Sequence, residues 1–216
     1  MEKIVKEINH WISQSDQRII IGISGHGAAG KTTFAKELIK QLSDVNYMNT
    51  DPYIVSSEVR RNTMINYTYY SKNYRYKMTA CHPFAHHLPS LERDVRMVRN
   101  GLDLFSIDTH YAESVLLSSN SRVTIIEGMS VAFIDPNLFD LKLYFYTDEE
   151  TEFLRRSARD VKERGLDINY LKASHEQRRI QYEVFMHPFS HSFDVIVKTS
   201  QGEQIVEKNA LKLGEM

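Results

Sequence analysis

Gly25-His26-Gly27-Ala28-Ala29-Gly30-Lys31-Thr32 has the spacing G-x4-G-K-[ST], and both of its flanks are of the kind such a loop requires. Upstream, Arg18-Ile19-Ile20-Ile21-Gly22-Ile23 is rich in β-branched residues and reads as a strand that ends at Ser24. Downstream, a helix starts at Thr32, with Phe34, Leu38, Ile39 and Leu42 recurring at helical spacing. Between them the glycine-rich turn lets successive backbone N–H groups point into one concavity, and the helix N-terminus adds its partial positive charge. Gly25, Gly27, Ala28, Ala29 and Gly30 therefore form a candidate phosphate cradle, continued by Lys31, Thr32 and Thr33. Lys31 is the candidate for the β- and γ-phosphates and Thr32 for Mg²⁺, so ATP and Mg²⁺ are the expected cofactors.

The chain has 216 residues, 42% of them hydrophobic, enough for a full core, and length favours one domain over residues 1–216 with an inserted lobe. Lys and Arg total 27 against 28 Asp and Glu, a formal charge of -1, which points to no nucleic acid and no anionic membrane surface. The expected partners are ATP and a small-molecule acceptor. One cysteine, Cys81, cannot form an internal disulfide, and Glu2, Lys3, Lys6 and Glu7 occupy the place of a signal peptide's apolar stretch, so the expected compartment is the cytoplasm.

Further elements follow from periodicity. Ile4, Ile8, Trp11 and Ile12 share one face of a helix over residues 1–14. Val45 to Asn49 is a second strand ending at Thr50-Asp51-Pro52, and Val123 to Ile126 a third ending at Glu127-Gly128. Each places a carboxylate at a strand's C-terminal edge, where an open α/β sheet binds ligands, and both strands are expected to flank the loop strand. Leu141 to Tyr146 is a fourth, whose alternating Lys142 suits a position nearer the sheet edge, and Asp194 to Val197 is a fifth. Leu88, Leu91, Val95 and Val98 mark a helix closing at Asn100-Gly101, Glu149 to Arg164 is a helix ended by Gly165, and Tyr170 to Met186 is a longer one. The alternation predicts an α/β fold, a P-loop NTPase three-layer sandwich around a mostly parallel five-stranded sheet.

Residues 53–82 are glycine-free and interleave tyrosines with Arg60, Arg61, Lys72, Arg75 and Lys77. They read as an inserted substrate cap with a hairpin through Ser71-Lys72-Asn73, Tyr53 and Tyr76 being its candidate acceptor contacts. An aromatic hairpin that only packs on the domain, or serves an interface, is the alternative.

Phosphoryl transfer needs a phosphate cradle, a metal, a group to position or deprotonate the acceptor, and cations over the transferring phosphoryl. Asp51 and Glu127 join Thr32 as candidate metal ligands, directly or through water, and Asp51 is the best candidate to take the acceptor's proton. A plain Asp-Pro turn is the bland reading of Asp51. Arg155 and Arg159, at i and i+4, share a helix face and could fork onto phosphate oxygens from a lid over 149–165, with Arg156 beside them; a solvated face paired with Glu149, Glu150, Glu152 and Asp160 is the alternative. Cys81, His82, His86 and His87 lack the further ligands of a zinc site and are read as lining or supporting a polar pocket.

The phosphate loop, Asn49-Thr50-Asp51-Pro52-Tyr53, His82-Pro83, Thr109-His110, Ile126-Glu127-Gly128 and Leu154-Arg155-Arg156-x-x-Arg159-Asp160-x-x-x-Arg164-Gly165 occur in this order. Together they resemble the uridine kinase and phosphoribulokinase family of P-loop kinases over Ile19 to Lys198. The resemblance implies that Lys31 and Thr32 serve ATP and Mg²⁺, that Asp51 is the catalytic base, that Glu127 supports the metal and that Arg155, Arg156 and Arg159 belong to the lid. It also implies that His82, Phe105 and His110 lie in the nucleoside pocket, and that the chain self-associates. Three positions depart from the family: Cys81 replaces the aspartate of an Asp-His-Pro that holds ribose, Ala112 replaces an arginine, and Glu152 replaces the lid's first arginine. The implied function is an ATP- and Mg²⁺-dependent kinase acting on a hydroxyl of a small polar acceptor, uridine or cytidine first, with a phosphosugar, a vitamin precursor or a nicotinamide nucleoside as alternatives. A nucleotide-binding regulator is a third class, although no Asn-Lys-x-Asp guanine signature is present.

Overall fold

The computed structural model describes residues 1–164 and 167–211. Helix α1 (Glu2–Ser13) precedes β1 (Ile19–Gly25), α2 (Lys31–Ile39) and β2 (Val45–Asn49). A short α3 (Ser57–Asn62) and the strands β3 (Met64–Tyr69) and β4 (Lys72–Lys77) follow, then α4 (Leu88–Arg99), the two-residue strands β5 (Leu104–Phe105) and β6 (Leu116–Leu117), and β7 (Val123–Glu127). The chain continues through β8 (Leu141–Thr147), α5 (Glu149–Arg164), α6 (Ile168–Phe185), β9 (Val195–Ser200) and β10 (Glu203–Asn209). Gly165, expected to end α5, lies outside the described residues. No described helix is long and apolar enough to cross a membrane.

The central sheet has six strands in the order β10-β9-β8-β1-β7-β2, one more than expected. Every neighbouring pair is parallel except β9 with β10. The additional strand turns back through Gln201 and Gly202, both at positive φ, and leaves Ile205 and Val206 exposed. It lacks a buried face and hence the apolar alternation by which strands are recognised.

Two placements differ from expectation. β2 does not touch β1, because β7 lies between them, so only Glu127 sits on a strand beside the loop strand. β8 is interior, between β1 and β9, and not near an edge. Its Lys142 is accommodated by Asp194, whose carboxylate lies 3.6 Å from the ammonium.

A buried strand divides its side chains between two faces, and β1 does so here. Ile19, Ile21 and Ile23 enter a core with Ile4, Ile8 and Ile12 of α1 and Phe34 and Leu38 of α2. Ile20 enters the opposite core with Leu91, Val95 and Val98 of α4, Tyr182 of α6 and Met186 just beyond it. The result is the expected three layers, with β1 in the middle and its C-terminal end feeding the glycine-rich turn. That end approaches β8 closely: Gly25 has φ 135°, and a Cβ there would stand 1.8 Å from the Phe145 carbonyl oxygen.

The tyrosine-rich segment forms the hairpin β3–β4, turning at Tyr70-Ser71 (φ 45° and 62°), slightly earlier than Ser71-Lys72-Asn73. It is docked on α6. Tyr67 Oη donates to Gln177 Oε1 at 2.8 Å, and the buried Gln181 accepts from Thr79 N at 2.9 Å while donating to the Lys77 carbonyl at 3.0 Å.

Candidate active site

Register brings the two strand-end carboxylates to one mouth. β2 and β7 pair Asn49 with Glu127, and Thr50 N donates to the Glu127 carbonyl at 2.8 Å, so Asp51 starts immediately beyond the Glu127 rung. Gly128 allows this approach: its φ is 149°, and a Cβ there would lie 2.0 Å from Thr50 Oγ1.

Glu127 is the hub. It is buried, and its Oε2 accepts from Thr32 Oγ1 at 3.0 Å and from Tyr47 Oη at 2.9 Å. Lys31 Nζ lies 4.0 Å from Glu127 Oε1 and donates to the His26 carbonyl at 2.9 Å. Burial, then the charge of Glu127, raises the Tyr47 hydroxyl far above its ordinary pKa, so it remains a donor. Tyr47 was not singled out in the sequence; its signal is its place on the same face of β2 as Asn49.

Asp51 differs from Glu127. It is exposed, opens a 3-10 turn over Asp51–Tyr53, and has its N–H held by Asn49 Oδ1 at 2.8 Å. Its carboxylate makes no hydrogen bond or ion pair among the described residues, whereas its carbonyl accepts from Tyr111 Oη at 3.2 Å.

The loop is clamped by a residue that the sequence reading passed over. His26 is buried, its Nε2 accepts from Thr147 N at 2.9 Å, and its Nδ1 lies 2.8 Å from the Gly27 carbonyl. That assignment requires the proton on Nδ1, and burial pushes the ring's pKa down to about 4, so the imidazole is neutral near pH 7. Glu152 Oε2 stands 3.7 Å from Nδ1. This contact is dipolar and not ionic; the Glu152 charge is balanced by Arg156 and Arg179, each at 3.4 Å.

Of the arginines expected on a lid, Arg155 reaches the loop, donating to the Ala28 carbonyl at 3.2 Å and passing 4.0 Å from where a Gly30 Cβ would be. Arg159 donates to Asp160 at 2.9 Å. Arg156, expected among the nucleotide contacts, is buried between Glu152 and Asp160, at 3.4 and 3.8 Å, and serves the helix interior. Gly25 ends β1, and His26 through Thr33 occupy the loop and the first turn of α2.

The acceptor candidates separate. Tyr53 is fully buried with its hydroxyl on Asp94 at 2.5 Å, which removes it from any pocket. His110 is exposed and edge-on to Tyr111, at 4.7 Å, and Tyr111 ties it to Asp51. Phe105 is exposed on β5, His82 packs on Phe185 at 4.4 Å, and Tyr76 is half-buried on β4 under Lys77. His86 is held by Ser130 Oγ and the Ala80 carbonyl, each at 2.8 Å, and burial lowers its pKa to about 4. Among the described residues no group of three His, Cys, Asp or Glu is arranged to hold a metal ion.

A loop carrying lysine and threonine, a carboxylate hub beneath it and a free carboxylate beside it form a phosphoryl-transfer geometry, and comparison with known proteins agrees. Residues 20–206 match the model of the phosphoribulokinase / uridine kinase family. A uridine kinase of Lactobacillus helveticus is 29% identical over 194 residues, covering 84% of this chain and 87% of that protein. The chloroplastic phosphoribulokinase of Arabidopsis thaliana is 24% identical over 223 residues, covering 96% of this chain and 56% of that protein. The solved structure of a phosphoribulokinase from Rhodobacter spheroides superposes with a TM-score of 0.61 at 18% identity, covering 86% of this chain and 71% of that one. The chain therefore belongs to the phosphoribulokinase / uridine kinase family and is a phosphotransferase acting on an alcohol group.

Proposed function

We propose that the protein transfers the γ-phosphoryl group of ATP, with Mg²⁺, to a hydroxyl of a small polar acceptor in the cytoplasm. The observation that carries this reading is the division of labour between two carboxylates at one mouth. Glu127 is buried and occupied by Thr32 and Tyr47, while Asp51 is exposed with a free carboxylate. Asp51 takes the proton of the acceptor hydroxyl as its oxygen attacks the γ-phosphorus, and the bond to the β-phosphate oxygen breaks to leave ADP. Lys31 and Arg155 supply cations around the phosphates, and the loop N–H groups hold them. Thr32 Oγ1 and Glu127 Oε2, 3.0 Å apart, are hard oxygen donors of the kind magnesium takes, directly or through water. Bound with ATP, the ion would neutralise charge on the β- and γ-oxygens.

Uridine and cytidine are the first acceptors to test, since several relatives are named uridine kinases. A second reading, another alcohol in the same site, is favoured by the buried Cys81 where the family carries a ribose-holding carboxylate. The test is ATP-to-ADP turnover across nucleosides, phosphosugars and vitamin precursors, with Asp51→Asn as control. The variant is expected to bind ATP normally and lose about 10²- to 10⁴-fold in turnover. Retained turnover removes Asp51 as base, and ATP hydrolysis that no acceptor accelerates would favour a nucleotide-binding regulator.

A further inference from the structure

The ladder between β2 and β7 ends at the rung of Asn49 with Glu127, and Thr50 N adds a last bond to the Glu127 carbonyl. Asp51 lies beyond it, outside the sheet, and among the described residues it bonds through its N–H and carbonyl alone. The place of its carboxylate is therefore set by the strap that it opens, residues 51–55. That strap is zipped to residues 85–87: His87 N donates to the Tyr53 carbonyl and Val55 N to the Ala85 carbonyl, each at 2.8 Å, with an antiparallel bridge between Ile54 and His86 at the centre. Tyr53 roots the strap in the core through Asp94. Neither contact ties it to the Glu127 side of the mouth.

His86 supplies that tie. Its ring is buried and packs on Phe133 at 4.9 Å. Nε2 lies 2.8 Å from the Ala80 carbonyl and Nδ1 2.8 Å from Ser130 Oγ. A carbonyl only accepts, so the proton sits on Nε2, Nδ1 is a bare acceptor, and the Ser130 hydroxyl donates to it. Burial keeps the ring neutral near pH 7, as this arrangement needs. Ser130 is fully buried in the 3-10 turn Met129–Phe133, which follows Glu127 and Gly128, and its Oγ also stands 3.5 Å from the Thr50 carbonyl. One imidazole thus joins three segments: the strap that carries Asp51, the turn behind Glu127, and residues 79–82, where Thr79 meets Gln181 of α6. An apolar side chain would fill the same space without desolvating an imidazole and a hydroxyl, so packing alone gives no reason for the pair. What the pair adds is direction, two short bonds of fixed geometry.

We infer that His86 is a positioning residue for phosphoryl transfer: through Ser130 it braces the Asp51 strap against the turn behind Glu127, so that the proton-accepting carboxylate keeps its place at the mouth. This rests on the reading of Asp51 as the base.

The test is a double-mutant cycle on the full chain, with kcat and the KM for ATP measured on the best acceptor of the panel above and folding checked by melting temperature. His86→Phe keeps an aromatic ring on Phe133 and removes both bonds; kcat is expected to fall about 10- to 100-fold with the KM for ATP unchanged. Ser130→Ala removes only the partner of Nδ1 and should lower kcat by about 3- to 10-fold. His86→Asn, whose amide oxygen takes the place of Nδ1, should keep more of kcat than His86→Gln, whose amide reaches toward the Ala80 carbonyl. In an Asp51→Asn background the losses from His86→Phe and Ser130→Ala should vanish, because no base is left to misplace. Where His86→Phe does not fold, Ser130→Ala carries the cycle alone. An unchanged kcat, losses of equal fold in both backgrounds, the reverse order of Asn and Gln, or a rise in the KM for ATP in place of a fall in kcat each overturn the inference and leave the kinase standing. Parent-like turnover in Asp51→Asn removes Asp51 as base and this inference with it, and turnover that no acceptor stimulates removes the kinase reading as well.

Discussion

Glu127 shows how much one buried carboxylate asks of its neighbours. With Thr32 and Tyr47 both donating to Oε2, the loop helix and β2 are fastened to the tip of β7. Tyr47→Phe removes one donor to a charged acceptor, a loss of about 1–3 kcal/mol in urea unfolding, with turnover reduced as Glu127 loosens. An unchanged unfolding midpoint would mean that water replaces the hydroxyl at no cost. Thr32, Asp51 and Glu127 could be singled out in the sequence as candidates because motif and strand-end position mark them. Tyr47 and His26 were not, since a tyrosine in a strand and a variable position of a loop pattern carry no signal until the register and the packing are known. The histidines also fix a pH dependence. His26 and His86 fall from an ordinary 6.5 to about 4 in the folded chain, so the unfolded chain binds more protons between those values. Their stabilisation is complete above about pH 6.5 and is lost as pH falls toward 4, up to about 3 kcal/mol each. Asp148, held near 2 chiefly by the Thr151 N–H, loses its share only below the ordinary carboxylate range. Unfolding measured at pH 7.5, 6 and 5 should show the decline, and His86→Asn should shrink its pH-dependent part by roughly half if these two residues dominate.

At the scale of elements, the hairpin β3–β4 owes its position to α6 and not to its own turn. The buried Gln181 accepts from Thr79 N and Thr79 Oγ1 and donates to the Lys77 carbonyl, with no exposed surface. Gln181→Leu keeps much of the volume and removes these bonds, an expected cost of about 2–4 kcal/mol, and trypsin should then cut at Lys72 or Arg75 sooner than in the parent. Equal cleavage would show the hairpin anchored by Tyr67 and Phe185 instead. The existence of this hairpin was legible from the alternation of tyrosines with polar residues. Its docking was not, because the clip is a glutamine more than a hundred residues downstream. Lys142 misled for a related reason: alternation of charge signals an edge only when the charge has no partner, and Asp194 provides one. β10 escaped notice because an exposed edge strand with Glu203, Glu207 and Lys208 reads like a loop.

For the molecule as a whole, strand order is the feature that local pattern does not encode. Strands β1, β7 and β2 are each recognisable alone, yet placing β7 between the other two decides that Glu127 lies beneath the phosphate loop and Asp51 one strand further out. The cation balance is likewise global. Glu152, which stands where the resemblance leads one to expect an arginine, joins four parts of the chain: the loop through His26, its own helix α5 through Arg156, α6 through Arg179, and the end of β8, whose Thr147 carbonyl also accepts from Arg179 at 3.0 Å. Burial alone would raise the Glu152 carboxyl, but the neighbouring His26, Arg156 and Arg179 outweigh it and hold it below the ordinary value. Glu152→Ala leaves the buried Arg156 and the half-buried Arg179 with less than their countercharge and should cost about 3–5 kcal/mol, read from urea unfolding by the fluorescence of the single Trp11. Arg156 retains Asp160 and Arg179 retains Glu183, so the loss should fall toward the lower end of that range. Because His26 also loses a neighbour, the KM for ATP should rise in the folded fraction, whereas a purely peripheral charge would move neither quantity. A variant with parent-like unfolding and unaltered ATP dependence would mean that the loop and the two C-terminal helices are held together by packing alone.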